Sequence, residues 1–289
     1  MTSTAFLIGG TGHIGKSMIE DLLPDHKAGK LRVKVGVHSD KSREYVATAG
    51  VETVDFDLAD YACFDAALEG SDTVFLLRPY TIRQMMMGKQ VIDSAERVGV
   101  KHIVTLGAFG AADTPHPVIG WNFLVEAWAE RSGMNWTHLR PNYFMDNLLV
   151  QRDKASNTLF NSITRPVSWI SSEDIAAVAA AVIRNPQAHA GQVYPLASIR
   201  AGIADIADIF TKVTGQKHGH AAPPIERLKA RLAAQGREPD YAQALINYIE
   251  AVQSGKVPEI ADTFDTVERV AGRPAMTWEV FLEKHKSEL

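Results

Sequence analysis

The sequence predicts a doubly wound α/β fold: a parallel sheet with helices on both faces, followed by a smaller, mostly helical C-terminal lobe. Three observations carry this reading. Short apolar runs alternate with longer amphipathic stretches through the first half of the 289 residues, the pattern of strand–helix–strand units. A knot of glycines stands where the first apolar run hands over to the first amphipathic stretch. Beyond Pro141 the alternation stops, and helical stretches punctuated by proline take over.

Taken in order, residues 4–8 read as a strand and residues 16–23 as a helix ending before Pro24. "LRVKVGVHS", "VETVDFDL" and "DTVFLLRP" are further strands, with helices over 42–49, 62–68 and 82–98 between and after them. "KHIVTLGAFG" gives a fifth strand, "GWNFLVEAWAERSG" a helix and "NWTHLRP" a sixth strand. Right-handed crossovers then fix the winding. The segment from Asn142 to Pro166 is loop-rich. "SSEDIAAVAAAVIRNP" is a helix starting at Ser172, with Glu173 and Asp174 suited to its first turn, and "GQVYPLA" is one more short strand. Residues 203–289 read as mostly helical, broken at Pro223, Pro224, Pro239, Pro258 and Pro274. The expected division is a sheet domain over 1–145 and 165–200 and a substrate lobe over 146–164 and 201–289, with a cleft between them.

Composition narrows the function classes. With 46% hydrophobic and 22% charged residues, the chain can bury a core without a metal or disulfide staple. A net charge of −4 with mixed signs argues against nucleic acid as a partner. Cys63 is the one cysteine; it makes no internal disulfide and reads as a small buried hydrophobe. There is neither a signal-peptide pattern nor an apolar run long enough for a membrane, so a cytoplasmic protein is expected. His218 and His220 in "QKHGHAAPP" lack supporting cysteines or acids and read as a solvated loop; no metal site is expected. Trp128 and Trp136 are assigned to the core.

The glycine knot carries the chemistry. Gly9, Gly12 and Gly15 fall in G-x-x-G-x-x-G spacing, with Gly10 beside them. Placed between a first strand and a first helix, this spacing permits a tight turn, close approach of backbone N–H groups to a pyrophosphate, and close packing of helix on strand. The helix N-terminus adds oriented donors and partial positive charge. Thr11, His13 and Ile14 present main-chain groups within the same turn. The Rossmann-type dinucleotide site is therefore expected here.

That spacing, with "VDFDL", "HIVTLGAFG", "LVEAWAERSGMNWTHLRPNYFMDNL" and "WISSEDIAAVAAAVI", resembles the NmrA-like branch of the atypical short-chain dehydrogenase/reductases over nearly the whole chain. The branch contains NAD(P)H-dependent reductases of quinones, azo dyes and triphenylmethane dyes, and redox sensors that bind cofactor without turning it over. The resemblance implies that Asp57 and Leu58 face adenine and that Leu77, Arg78 and Pro79 run past the ribose and nicotinamide. It likewise implies that Gly107, Ala108 and Phe109 close strand five against the cofactor, that Asn122 reaches the nicotinamide ribose, and that Pro141, Asn142 and Tyr143 lie near the carboxamide. At the end of strand two, His38 stands where NADP-preferring relatives carry arginine, with Lys41 and Arg43 nearby. NADP(H) is the favoured cofactor; Asp40 keeps NAD(H) open.

The Tyr-x-x-x-Lys pair of short-chain dehydrogenases is absent: aligned on Glu126, its positions hold Val118 and Asn122. Such a pair passes a proton as hydride moves. Without it, the expected reaction is hydride delivery to a conjugated or aromatic small molecule able to take its proton elsewhere, with His116, Asn122 and Tyr143 as candidate catalytic groups. The alternative is a non-catalytic NADP-binding sensor. A flat acceptor would stack on Tyr80, Phe109, Trp121, Phe144, Phe160 and Trp169, with Met86 as an adaptable wall. A monomer or homodimer is expected.

Overall fold

The computed structural model describes residues 2–111 and 113–289. Its sheet is built from β1 (Ser3–Ile8), β2 (Leu31–Val37), β3 (Glu52–Asp55), β4 (Thr73–Leu76), β5 (His102–Leu106) and β6 (Asn135–Pro141), with a seventh strand contributed later in the chain. Helices α1 (His13–Lys27), α2 (Asp40–Ala49), α3 (Phe64–Leu68), α4 (Gln84–Arg97) and α5 (Pro117–Arg131) connect them. Then come β7 (Tyr143–Phe144), α6 (Asp146–Val150), β8 (Arg152–Asp153), β9 (Thr158–Phe160), β10 (Val167–Ile170) and α7 (Ser172–Arg184). The seventh strand of the large sheet is β11 (Gln192–Leu196); β12 (Ile199–Ala201), α8 (Ile203–Thr214) and β13 (Gly219–Ala221) follow. Three helices finish the chain: α9 (Ile225–Ala234), α10 (Pro239–Gln253) and α11 (Trp278–Lys284).

The large sheet runs β11-β6-β5-β4-β1-β2-β3, and every neighbouring pair is parallel. The chain winds outward from β1 to β3, returns to place β4 beside β1, and winds out the other way. The strand order therefore reverses between β1 and β4, where ligands gather in open α/β folds. Burial on both faces explains the nearly unbroken apolar runs of β1 and β4. One face packs Ile14, Met18 and Leu22 of α1 against the alanine-rich α7; the other packs Val91 and Ile92 of α4 and Val125 of α5.

A second hydrophobic cluster lies outside the sheet. It joins Leu148, Trp169, Phe210, Tyr241, Tyr248, Trp278 and Phe281 from α6, β10, α8, α10 and α11. Two small sheets, β12-β10-β7 and β13-β9-β8, accompany it. Of these short strands, β7, β8, β9 and β13 lie in segments read from the sequence as loop or helix, and β10 and β12 in segments given no element. Except for β8 and β9, which pair with each other as a short hairpin, their partners are distant in sequence.

Several local expectations are corrected. Helix α1 runs through Pro24, which deprives only the Glu20 carbonyl of its donor; beside it Arg184 donates to the Asp21 carbonyl at 2.5 Å and to the Asp25 carboxylate at 2.7 Å. The cap of α7 is Ser171, whose hydroxyl accepts from the Asp174 N–H at 3.0 Å. Pro239 opens α10 rather than breaking a helix, its missing N–H being one that the first turn leaves unused. Trp128 is 41% exposed, donating to Asp93 at 2.7 Å beneath the Lys89 ammonium. His218 is only 5% exposed, held by Arg152 and by the Gln216 carbonyl at 2.8 Å. Cys63 is partly exposed and donates to the Asp60 carbonyl at 3.0 Å. Among the described residues, no cluster of metal-binding side chains occurs and no helix is long and apolar enough to cross a membrane.

Candidate functional site

The glycines between β1 and α1 have separable causes. Gly9 sits at φ +84°, a left-handed backbone that side chains oppose, and a Cβ there would lie 3.0 Å from that of Leu77. A Cβ on Gly10 would meet Val35 at 2.4 Å, and one on Gly15 would meet the Gly10 backbone at 2.4 Å. Those two are fixed by packing of helix on strand. Gly12, at φ −77°, caps α1 without a side-chain bond. A Cβ on it would touch only the Gly9 carbonyl, at 3.8 Å. Neither conformation nor packing demands glycine at position 12. What its absent side chain does is keep the first-turn N–H groups of α1, which have no intrahelical acceptor, open to an anion. The cradle therefore fits a diphosphate.

At the end of β2, His38 and Lys41 are exposed beside the N-terminus of α2, which Ser39 caps by accepting from the Ser42 N–H at 3.3 Å. Arg43 is turned away and engaged by Asp55 and Thr53. Asp57 forms a turn, accepting from the Ala59 N–H at 2.9 Å, with Leu58 half-buried beside it.

Beyond β4 the chain places Leu77 against Gly9, then buries Arg78, while Pro79 and Tyr80 are exposed. Arg78 Nη2 donates to Asn122 Oδ1 at 2.7 Å and to the Leu106 carbonyl at 3.2 Å. The surface position that an arginine after a strand would ordinarily take is not what forms. Asn122 Nδ2 donates to the Val118 carbonyl at 3.0 Å, so each end of its amide has a partner within the protein. Next to it, Glu126 is 1% exposed and accepts from Arg140 Nη2 at 2.6 Å and Nε at 3.0 Å. Burial raises the Glu126 pKa against the pull of Arg140 and Arg78. Burial also brings Arg78 down to about 10, which leaves it charged at neutral pH.

The strand ends close the floor. The Gly107 N–H donates to the Leu139 carbonyl at 2.8 Å and the Phe109 N–H to Pro141 at 2.9 Å, with Ala108 between them. Asn142 donates to the Ile260 carbonyl at 2.8 Å and accepts from the Tyr143 N–H at 2.9 Å. The Tyr143 hydroxyl is buried with no partner among the described residues. Burial, then Tyr248, pushes its pKa well above that of a free phenol. His116 caps α5, its ring edge-on to Tyr248 at 5.3 Å.

The aromatics assigned to the acceptor separate into groups. Tyr143, Phe160 and Trp169 line a cavity of about 610 Å³ together with Asn147, Arg227 and Arg231. Trp169 is 1% exposed, so it forms wall rather than surface. Arg227 lies over Phe160, 4.3 Å from the ring centre. Tyr80 and Trp121 instead gather around Tyr241, at 6.4 and 5.9 Å between ring centres. Phe109 packs edge-on to Phe264 at 5.5 Å, Phe144 packs on the sheet core, and Met86 is exposed on α4. No residue of the glycine turn lines this cavity.

Tyr241, Tyr248 and Asp146 were missed in the sequence. The two tyrosines are spaced to share a face of α10, a signal that helical periodicity could have supplied. Asp146 is buried, accepts from the Ser172 N–H at 3.0 Å, and lies 4.0 Å from the His13 ring at the glycine turn. No local pattern marks it.

The NmrA-like family model matches residues 1–282. An NAD(P)H azoreductase of Xenophilus azovorans is 32% identical over 284 residues, covering 96% of each chain. Quinone oxidoreductase 2 of Escherichia coli is 25% identical, covering 94% of each. The structure of triphenylmethane reductase from Citrobacter sp. complexed with NADP(H) superimposes with a TM-score of 0.80 at 21% identity, over 97% of this chain and 99% of that one. The open glycine turn at the reversal of strand order and the match along nearly the full length agree: this chain belongs to the NmrA-like family.

Proposed function

We propose that this protein is an NADP(H)-dependent reductase that delivers hydride to a flat, conjugated acceptor of the quinone, azo or triphenylmethane dye type. The composition of α5 carries the reading. Where a Tyr-x-x-x-Lys pair would stand, the helix buries Val118 and Asn122, so a substrate needing a protein acid of that kind is not served. Relatives named as azoreductase and quinone oxidoreductase, and the fold shared with a triphenylmethane reductase, support the same acceptor class.

The N-terminus of α1, opened by Gly12, holds the diphosphate through main-chain N–H groups of Thr11 and of His13 to Gly15, the Gly12 N–H being taken by the Gly9 carbonyl. His38 and Lys41, with the N-terminus of α2, take the 2′-phosphate as charge-assisted donors. Asp57 and Leu58 border the adenine. Pro141, Asn142 and Tyr143 border the carboxamide, and the bond from Asn142 to Ile260 fixes that segment. When bound, the cofactor supplies the hydride; a quinone then needs one proton from solvent to balance the reaction to a hydroquinone. The cavity walled by Tyr143, Phe160 and Trp169 takes the acceptor, excluding water from its faces by stacking. The Tyr143 hydroxyl, kept protonated by burial, offers a hydrogen bond to an acceptor heteroatom.

The test is to incubate purified protein with NADPH and a panel of quinones, azo dyes and triphenylmethane dyes while following absorbance of the reduced nicotinamide. Oxidation that depends on both protein and acceptor is expected. Tight NADPH binding without oxidation by any acceptor would overturn the reductase reading in favour of a cofactor sensor.

A further inference from the structure

We infer that Arg78 supplies the positive charge and donors that hold the nicotinamide ribose, the task of the α5 lysine in enzymes with a Tyr-x-x-x-Lys pair. The inference rests on the NADP(H) reading and adds to it a residue with a specific task.

The argument begins with donors that have nowhere to go. Arg78 is 6% exposed. Nη2 is satisfied by Asn122 and by the Leu106 carbonyl. Nε and Nη1 are buried and have no hydrogen-bond partner among the described residues. A guanidinium deprived of both water and partners is strongly disfavoured, so buried cations are ordinarily paired. Glu126 is the carboxylate whose field reaches Arg78, yet its Oε2 is taken by Arg140, and its Oε1 is itself without a partner. The donor set of Arg78 is incomplete without an acceptor from outside the chain.

Its position identifies that acceptor. Arg78 follows Leu77, which touches the glycine turn. It bonds the last carbonyl of β5 and the residue on α5 that occupies the lysine position. The ends of β4 and β5 and the face of α5, which the family resemblance sets around the nicotinamide ribose, thus converge on one cation. The fold also makes room for it: a Cβ on Gly88 of α4 would lie 3.1 Å from Arg78 Cδ. Ribose hydroxyls are neutral acceptors that a planar fork of N–H groups can bridge. Asn122 acts through Arg78 as a positioning residue, its amide oxygen held on Arg78 and its nitrogen on the Val118 carbonyl.

The test measures two ligands on wild type, Arg78→Met and Arg78→Lys by titration calorimetry. One is NADPH. The other is 2′-phospho-ADP, which keeps the adenine, 2′-phosphate and diphosphate but lacks the nicotinamide riboside. Arg78→Met should weaken NADPH about tenfold or more and leave 2′-phospho-ADP within about twofold, with Arg78→Lys recovering most of the loss. Equal weakening of both ligands would mark a purely structural role, and no change in either would show that Arg78 faces no ligand; each result overturns the inference. Should Arg78→Met fail to fold, wild type and Arg78→Lys decide. NADPH binding no tighter than 2′-phospho-ADP to wild type, or the same ratio in both proteins, overturns the inference. A preference for NADPH of about tenfold that narrows in Arg78→Lys supports it. Wild type that binds 2′-phospho-ADP but fails this comparison leaves the cofactor reading standing, whereas wild type that binds neither ligand removes both.

Discussion

Arg140 clamps Glu126 through two hydrogen bonds, Nη2 at 2.6 Å and Nε at 3.0 Å, on a carboxylate almost wholly withdrawn from solvent. Arg140 is the penultimate residue of β6 and Glu126 lies on α5, so the pair bolts that helix to the sheet. Removing one partner leaves the other charge buried, which is where ion pairs matter most. Arg140→Met should destabilise the fold by about 3 kcal/mol or more, and Glu126→Gln, which keeps the shape and an acceptor, by less. Urea denaturation followed by circular dichroism measures both; equal, small losses would show the clamp to be energetically idle.

The glycine turn separates binding from folding. Gly12→Ala places a methyl in open space and should leave the melting temperature nearly unchanged, while weakening NADPH by about tenfold through the blocked helix terminus. Gly15→Ala drives a methyl into the backbone of Gly10 and should lower the melting temperature by several degrees. Thermal melts with and without NADPH distinguish the two. A Gly12→Ala variant with wild-type affinity would refute the cradle.

Acid should unfold the protein by charging buried histidines. His138 is pushed down to about 3, chiefly by burial and then by Arg140, Arg78 and His102; His102 falls to about 4, chiefly by burial and then by His189. Both are therefore neutral in the folded chain where the unfolded chain, at about 6.5, binds protons. Stability is full above that value and falls as pH drops toward the folded values, by up to about 1.4 kcal/mol per pH unit for each histidine. His138→Asn should flatten the slope of stability between about pH 6 and 4, as read from denaturation midpoints at successive pH values. An unchanged slope would exclude His138 as a source.

Tyr143→Phe removes a hydroxyl that has no partner among the described residues, so stability should hold. Turnover of a quinone should fall about tenfold if that hydroxyl bonds the acceptor. Because burial holds the phenol protonated, wild-type kcat should show no Tyr143 ionisation between about pH 6 and 9. A variant with undiminished kcat places the hydroxyl outside the reaction.

Lys41 faces solvent at the N-terminus of α2, whereas Arg43 is engaged by Asp55. Lys41→Ala should weaken NADPH about tenfold and leave NADH unchanged. His38→Glu should go further and favour NADH, since a carboxylate repels the 2′-phosphate and accepts from a free hydroxyl. Parallel titrations with both cofactors measure the ratio, and an NADPH preference untouched by either change would move the phosphate site elsewhere.

The winding of the sheet, the helix-capping glycine turn and the missing Tyr-x-x-x-Lys pair were legible in the chain. Each is local: a strand writes its burial into consecutive residues, and a turn that must expose backbone writes itself as glycine. The family resemblance implied that Arg78 runs past the cofactor, but gave nothing of its burial. That needed β4, β5 and α5 to meet, and Asn122, its partner, is 44 positions away. The same holds for the Glu126–Arg140 clamp, for Tyr241 and Tyr248 facing the aromatics of other segments, and for the short strands outside the main sheet. Periodicity reports which face of an element is buried, while the partner it is buried against is set by sheet order and helix packing. Tertiary structure alone therefore decided which buried polar groups are left without a partner among the described residues.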